Sequence, residues 1–219
     1  MGGSNCEAFT LKRSEIMIMI VYLEGPDGSG KSTLANEIAK YLKDEGYEVD
    51  RFAERNVSTH PTRPYRLDKK HLLDELKYME RDNAVHILDR GPLSDVVYRV
   101  FDNYEPVATM TDYLNFFASH AAIIIYCRTS NAEKAMNDRG DDNPVALTRH
   151  KEISKVYDIV MASVAQKSIV PVFVWDYMAS SQLDVIDWIS QRVNELTADC
   201  KDGTCGRPGC IRCQSGGLD

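Results

Sequence analysis

The chain has 219 residues, 43% hydrophobic and 27% charged, enough to enclose the core of one α/β domain. A net charge of −7 supplies no global field to attract nucleic acid, and no apolar run approaches the roughly 18 residues a membrane span needs. Six cysteines, two scattered and four gathered near the C-terminus, do not make the framework of a small secreted scaffold, so a cytoplasmic protein is expected.

Residues 1–15 carry no periodicity and read as a flexible extension. The apolar run Ile16 to Leu23 predicts a buried strand, and Gly25-Pro26-Asp27-Gly28-Ser29-Gly30-Lys31-Ser32 follows it directly. Leu34, Ile38, Ala39, Tyr41 and Leu42 then recur at helical spacing until Gly46 stops the helix. A second strand is expected over 47–53, an irregular polar segment over 54–66, and a helix over 67–81. The short apolar stretch 84–88 reads as a strand ending in Asp89-Arg90. Helices are expected over 93–103 and 107–119, a strand over 121–127, and a helix from Asn131 into the charged loop 137–143. A long helix over 145–166, a strand over 169–175 and an amphipathic helix over 181–197 complete the pattern. Strands that are apolar on both faces and alternate with helices predict a five-stranded parallel sheet with helices on both sides. The domain would span 16–197, with its ligand crevice at the carboxyl ends of the strands.

The glycine-rich segment fits G-x-x-x-x-G-K-[ST], the phosphate-binding P-loop, in the strand–loop–helix setting that the chemistry needs. Residues Gly25 to Gly30 would wrap a polyphosphate with backbone N–H groups, and Lys31, Ser32 and Thr33 open the helix whose N-terminus faces the anion. Lys31 would reach the β and γ phosphates of ATP, and the Ser32 hydroxyl would hold Mg²⁺. At the end of the third strand, Asp89 would complete the Mg²⁺ shell opposite Ser32, and Arg90 would neutralise charge on a phosphoryl group in flight. An Asp-Arg pair that merely caps a strand is the alternative for that second motif.

The segments LEGPDGSGKSTLA and ILDRGPLSDVVYR resemble the thymidylate kinase and deoxynucleoside kinase branch of the P-loop kinases, and so does CRTSNAEKAMNDRGDDNPVALTRHKEISKVYDIVM. The resemblance covers about residues 16–197. It implies phosphoryl transfer to a nucleotide acceptor, most simply a pyrimidine deoxynucleoside monophosphate such as dTMP. It further implies that Asp27 lies near the acceptor's sugar hydroxyl, that Arg139 is the lid cation ahead of Arg149 and Arg128, and that helices near 93–119 pair in a homodimer. The chain departs from thymidylate kinases where they carry R-E-P-G-G-T, having Ala53-Glu54-Arg55-Asn56-Val57-Ser58 instead. Deoxynucleoside kinases place a general base there, and Glu54 matches it by position, which opens the alternative of a hydroxyl acceptor. A free deoxynucleoside or 5-hydroxymethyluracil within DNA, the substrate of bacteriophage DNA kinases of this branch, would be such an acceptor. A nucleotide-binding regulator without turnover is the third reading.

Arg63, Arg66, Lys69 and Lys70 beside His60 and Tyr65 form a local basic cluster, either an acceptor-phosphate or DNA contact or a solvated helix start. Tyr98, Phe101, Tyr104, Phe116 and Phe117 are candidates to stack on an acceptor base, although their helical spacing equally suits a core. In the tail, 198–219, Cys200, Cys205, Cys210 and Cys213 could hold Zn²⁺, but only the last pair has the usual C-x₂-C spacing. A disordered or redox-active tail is the alternative.

Overall fold

β1 (Met19–Glu24) is buried along its whole length, because it is the middle strand of a sheet covered on both faces. The computed structural model describes residues 19–52, 84–103, 109–119, 121–140, 143–167 and 170–198. After β1 come α1 (Lys31–Asp44), β2 (Val49–Phe52), β3 (Val85–Asp89) and α2 (Pro92–Phe101). They are followed by α3 (Met110–Ser119), β4 (Ala122–Arg128), α4 (Ala132–Asp138), α5 (Pro144–Gln166), β5 (Val172–Asp176) and α6 (Gln182–Ala198). The five strands lie in the order β2-β3-β1-β4-β5 with every pairing parallel. Leu23 sits in register with Asp89 on one side and Ile125 on the other, so the P-loop, the Asp-Arg motif and the end of β4 emerge together. From β1 the chain steps outward to β2 and returns through β3, then continues on the opposite side through β4 and β5. The crevice expected of such a reversal opens beside the end of β1.

The period of two along β1 divides the core. Ile20 and Tyr22 face a cluster with Leu93, Val97, Tyr113, Phe117, Ile153, Tyr157 and Met161, drawn from α2, α3 and α5. Met19, Val21 and Leu23 face Leu34, Ile38 and Leu42 of α1 and Val185, Ile189 and Val193 of α6. The same alternation runs along β4, with Ala122, Ile124 and Tyr126 in the first cluster and Ile123, Ile125 and Cys127 in the second, so these two strands are apolar on both sides.

Local chemistry sets the boundaries. Pro92 occupies the first helical turn of α2, where its missing N–H costs nothing, and Pro144 does the same in α5. α3 begins at Met110, later than the expected 107, because Thr109 and Asp112 form a reciprocal cap. The Thr109 N–H donates to Asp112 Oδ2 at 2.9 Å and the Asp112 N–H to Thr109 Oγ1 at 3.2 Å. β5 begins at Val172, later than the expected 169, because Pro171 has no N–H to enter the ladder; its carbonyl still accepts from Ile124 at 2.9 Å. The side chains of Asn131 and Asn143 cap α4 and α5. The N-terminal extension, the 67–81 helix, Glu54, the 60–70 basic cluster and the four tail cysteines lie outside the described residues.

Candidate active site

Gly25 leaves β1 with φ of 147° so close to β4 that a Cβ would lie 2.1 Å from the Cys127 carbonyl oxygen. No other residue fits there. The loop closes at Gly30, which precedes α1 without any side-chain cap, and no acidic residue stands in the first turn. The leading N–H groups of α1 are left for an anion. Lys31 is 95% buried beneath this loop, its Nζ donating to the Pro26 carbonyl at 2.6 Å and to Ser29 Oγ at 3.3 Å. Burial and then the neighbouring Arg90 bring the Lys31 ammonium down to a pKa of about 8. Thr33 is exposed in the same helical turn.

Ser32 Oγ donates to Asp89 Oδ2 at 2.5 Å, so the two expected metal-binding residues touch rather than face each other across a gap. The second Asp89 oxygen, Oδ1, is buried and lacks a hydrogen-bond partner. A hydroxyl beside a carboxylate whose second oxygen is buried and orphaned suits a hard cation such as Mg²⁺.

Arg90 and Arg139 converge on the loop from opposite sides. Arg90 adopts a left-handed backbone (φ 76°) at the end of β3, anchored by its N–H to the Leu23 carbonyl at 3.0 Å. That turn sends its guanidinium back over the P-loop, where it pairs with Asp27 and donates to the Gly25 carbonyl at 3.1 Å. The Tyr98 ring lies under it, 5.1 Å away. Arg139, at the end of α4, stands 3.6 Å from the other Asp27 oxygen and packs against Gly28. Burial pushes the Asp27 carboxyl up, but Arg90, Lys31 and Arg139 together outweigh it and hold the group below its ordinary value.

Two site residues escaped the sequence reading. Glu24, the last residue of β1, is fully buried. Its carboxylate accepts from the Leu93 N–H at 3.0 Å and from Ser94 Oγ at 2.5 Å, and Ser94 Oγ in turn lies 2.8 Å from the Tyr157 hydroxyl. It caps α2 from a neighbouring strand, since Gly91 in the N-cap position offers no side chain. Burial pushes this carboxyl up to about 7, against the opposing pull of Ser94 and Arg90. The signal was a glutamate closing an otherwise apolar strand directly before the P-loop. His150 of α5 is also buried, with Nε2 2.7 Å from the Asp27 carbonyl oxygen. It sits on the same helical stripe as Ile153, Tyr157 and Met161, where a histidine reads as ordinary core.

The other candidates go elsewhere. Arg149 pairs with Asp102 at 2.9 Å and lies 4.8 Å over the Phe101 ring, and Arg128 pairs with Asp158 at 3.3 Å. Phe117 packs edge-on against Tyr22 in the core. Tyr104 and the Phe116 side chain lie outside the described residues. The Cys127 thiol is buried and pushed up to about 12 by that burial. Among the described residues no group of three or more His, Cys, Asp or Glu could hold a metal ion, and no helix is long and apolar enough to cross a membrane.

Among solved structures, the YorR protein of Bacillus subtilis, in complex with phosphorylated GDP, is similar over 80% of this chain and 95% of its own, with TM-score 0.59 and 22% identity. The two chains share the fold, a five-stranded parallel sheet with helices on both faces. Deoxyadenosine kinase from M. mycoides with bound dATP aligns over 81% of this chain and 99% of its own at 24% identity, with TM-score 0.49. Shikimate kinase from Acinetobacter baumannii in complex with shikimate aligns over 84% and 96% at 15% identity, with TM-score 0.47. A family model described as RNA helicase matches residues 21–128, less than half of the chain. That span runs from within β1 through β4 and so holds the P-loop and the Asp89 strand end. No curated protein sequence matches the chain significantly.

Proposed function

We propose that this protein transfers the γ-phosphoryl group of ATP, with Mg²⁺, to a nucleotide acceptor, most simply a pyrimidine deoxynucleoside monophosphate such as dTMP. The observation that carries the reading is the convergence of Lys31, Arg90 and Arg139 on one P-loop beside the Ser32–Asp89 pair. A module that only bound nucleotide would need the loop and its lysine. Arginines delivered from the end of β3 and the end of α4 add charge where phosphoryl transfer develops it.

In this reading the backbone N–H groups at the start of α1 hold the polyphosphate, and Lys31 exchanges the Pro26 carbonyl for phosphate oxygens. Ser32 and Asp89 hold Mg²⁺, which supplies charge neutralisation across the phosphates. Arg139 exchanges Asp27 for the transferring group, while Arg90, fixed on the Tyr98 and Tyr157 side, meets the acceptor. Catalysis is then positioning plus electrostatic stabilisation, and a phosphate acceptor needs no general base. A hydroxyl acceptor, on a free deoxynucleoside or on 5-hydroxymethyluracil in DNA, is the second reading. It is favoured by Glu54 standing where thymidylate kinases carry R-E-P-G-G-T.

The test is transfer of ³²P from γ-labelled ATP to dTMP, other nucleoside monophosphates, free deoxynucleosides, and DNA with or without 5-hydroxymethyluracil. Lys31→Ala is the blank. Label on a monophosphate is expected. Label on nucleosides or modified DNA alone would transfer the assignment to the hydroxyl reading, and no Lys31-dependent label on any acceptor would leave a nucleotide-binding regulator.

A further inference from the structure

A hydrogen bond joins the P-loop to α5, and its geometry fixes more than a contact. His150 Nε2 lies 2.7 Å from the carbonyl oxygen of Asp27, and a carbonyl can only accept, so the proton is on Nε2. The ring is buried, and burial lowers its basicity, which keeps it neutral and leaves Nδ1 bare, 3.5 Å from Ser154 Oγ. Ser154 in turn donates to the His150 carbonyl at 2.8 Å, which fixes the side chain next to the ring to the same helical turn.

The Asp27–Gly28 peptide is trans, so the Gly28 N–H lies in the peptide plane and points opposite to the Asp27 carbonyl. With that carbonyl held against α5, the Gly28 N–H is turned away from α5. The preceding carbonyl, Pro26, is claimed from inside the loop by Lys31 and Ser29. Gly28 itself has φ of 71°, so this peptide can rotate at little steric cost if nothing holds it. We propose that His150 is a positioning residue of the P-loop, whose bond to the Asp27 carbonyl sets the Asp27–Gly28 peptide so that the Gly28 N–H points at the bound polyphosphate. α5 also follows the segment carrying Arg139, so the same bond ties the helix after Arg139 to the loop that Arg139 approaches.

The inference rests on the nucleotide-binding part of the proposed function and not on the identity of the acceptor. His150→Phe keeps a ring of similar size and removes the donor, whereas His150→Gln restores an N–H at similar reach. Binding of Mg²⁺ with ADP, and with a non-hydrolysable ATP analogue, is measured by calorimetry alongside the thermal midpoint of the nucleotide-free proteins. His150→Phe is expected to weaken nucleotide binding about five- to tenfold, the change carried by one neutral hydrogen bond. His150→Gln is expected to recover most of that loss even where the thermal midpoints of the two variants match. Equal affinity of His150→Phe and wild type, or no recovery in His150→Gln, would overturn the proposal. Nitrogen-15 chemical shifts of the wild-type ring check it without any variant, since a proton found on Nδ1 in place of Nε2 also overturns it. A wild-type protein that binds nucleotide with this His150 dependence but labels no acceptor would refute the kinase reading and leave the positioning role intact.

Discussion

Glu24 gives the fold a pH dependence whose sign and size follow from its burial. An unfolded glutamate titrates near 4.5, whereas in the folded chain this carboxyl titrates at about 7 because burial penalises its charge. Between those values the native state holds a proton that the unfolded chain has released. Stability contributed by this group is therefore complete below about 4.5, falls as pH rises, and levels off once pH passes the folded value. Each pKa unit corresponds to about 1.4 kcal/mol, so the displacement amounts to about 3 kcal/mol lost across the interval. Glu24→Gln keeps an oxygen to accept from the Leu93 N–H and cannot ionise. Urea unfolding of both proteins at about pH 5, 6, 7 and 8, followed through the buried Trp175, isolates the group, because all other titrations are shared. Asp27, whose depressed value acts in the opposite direction at lower pH, cancels in the same difference. The variant is expected to gain about 2.5 kcal/mol on the wild type between pH 5 and pH 8, the rest of the displacement falling below pH 5. Parallel stability curves, separated by a constant, would refute the claim that Glu24 is buried and proton-bearing near neutrality.

Two further outcomes test the arms of the site. Arg139→Ala should lower kcat about 10²- to 10³-fold, as loss of a transition-state charge partner does, with stability changed by less than about 0.5 kcal/mol because the side chain is half exposed. Unchanged kcat for the labelled acceptor would reduce Arg139 to a surface partner of Asp27. Gly91→Ala places a Cβ 2.4 Å from Tyr22 Cδ1 and 2.8 Å from Glu24 Oε1, both fully buried. It should cost about 1–3 kcal/mol by overpacking in urea unfolding, and a cost near zero would mean that α2 can shift off the end of β1.

The sheet was legible because its signals are redundant. Apolar runs bounded by turns, the glycines of the P-loop and the alternation of periods all pointed to parallel strands under helices, and the structure has that sheet. What was shifted, at the starts of α3 and β5, depended on a side-chain cap and a missing proline donor rather than on periodicity. The loop motif likewise announced Lys31 and Ser32, and the strand-end Asp89 fell beside Ser32. Glu24 and His150 could not be found the same way. Each occupies a position that pattern assigns to core, and each acts on a backbone group, the start of α2 or the Asp27 carbonyl, that no side-chain motif records. Arg149 and Arg128 show the converse, since a lid-like neighbourhood in sequence did not say which arginine turns inward and which finds an acidic partner on a neighbouring helix.

Charge at the loop reconciles an acidic chain with the anionic ligand proposed for it. Around the P-loop stand the cations of Lys31, Arg90 and Arg139, set against the carboxylates of Asp27 and Asp89. Glu24, the remaining acid at the strand end, is largely protonated below about pH 7 and adds little negative charge there. The local balance is therefore positive although the whole chain carries −7. Asp27 offsets that excess, because its one half-exposed carboxylate pairs with both guanidiniums, one on each oxygen, and screens their mutual repulsion. In the proposed function a polyphosphate would supply several oxygens in place of that single carboxylate and would take Arg139, the more exposed of the two arginines, ahead of the buried Arg90. The two arginines thus differ in kind. Arg90 is built into the end of β3, and Arg139 is held on a contact that a stronger anion can displace.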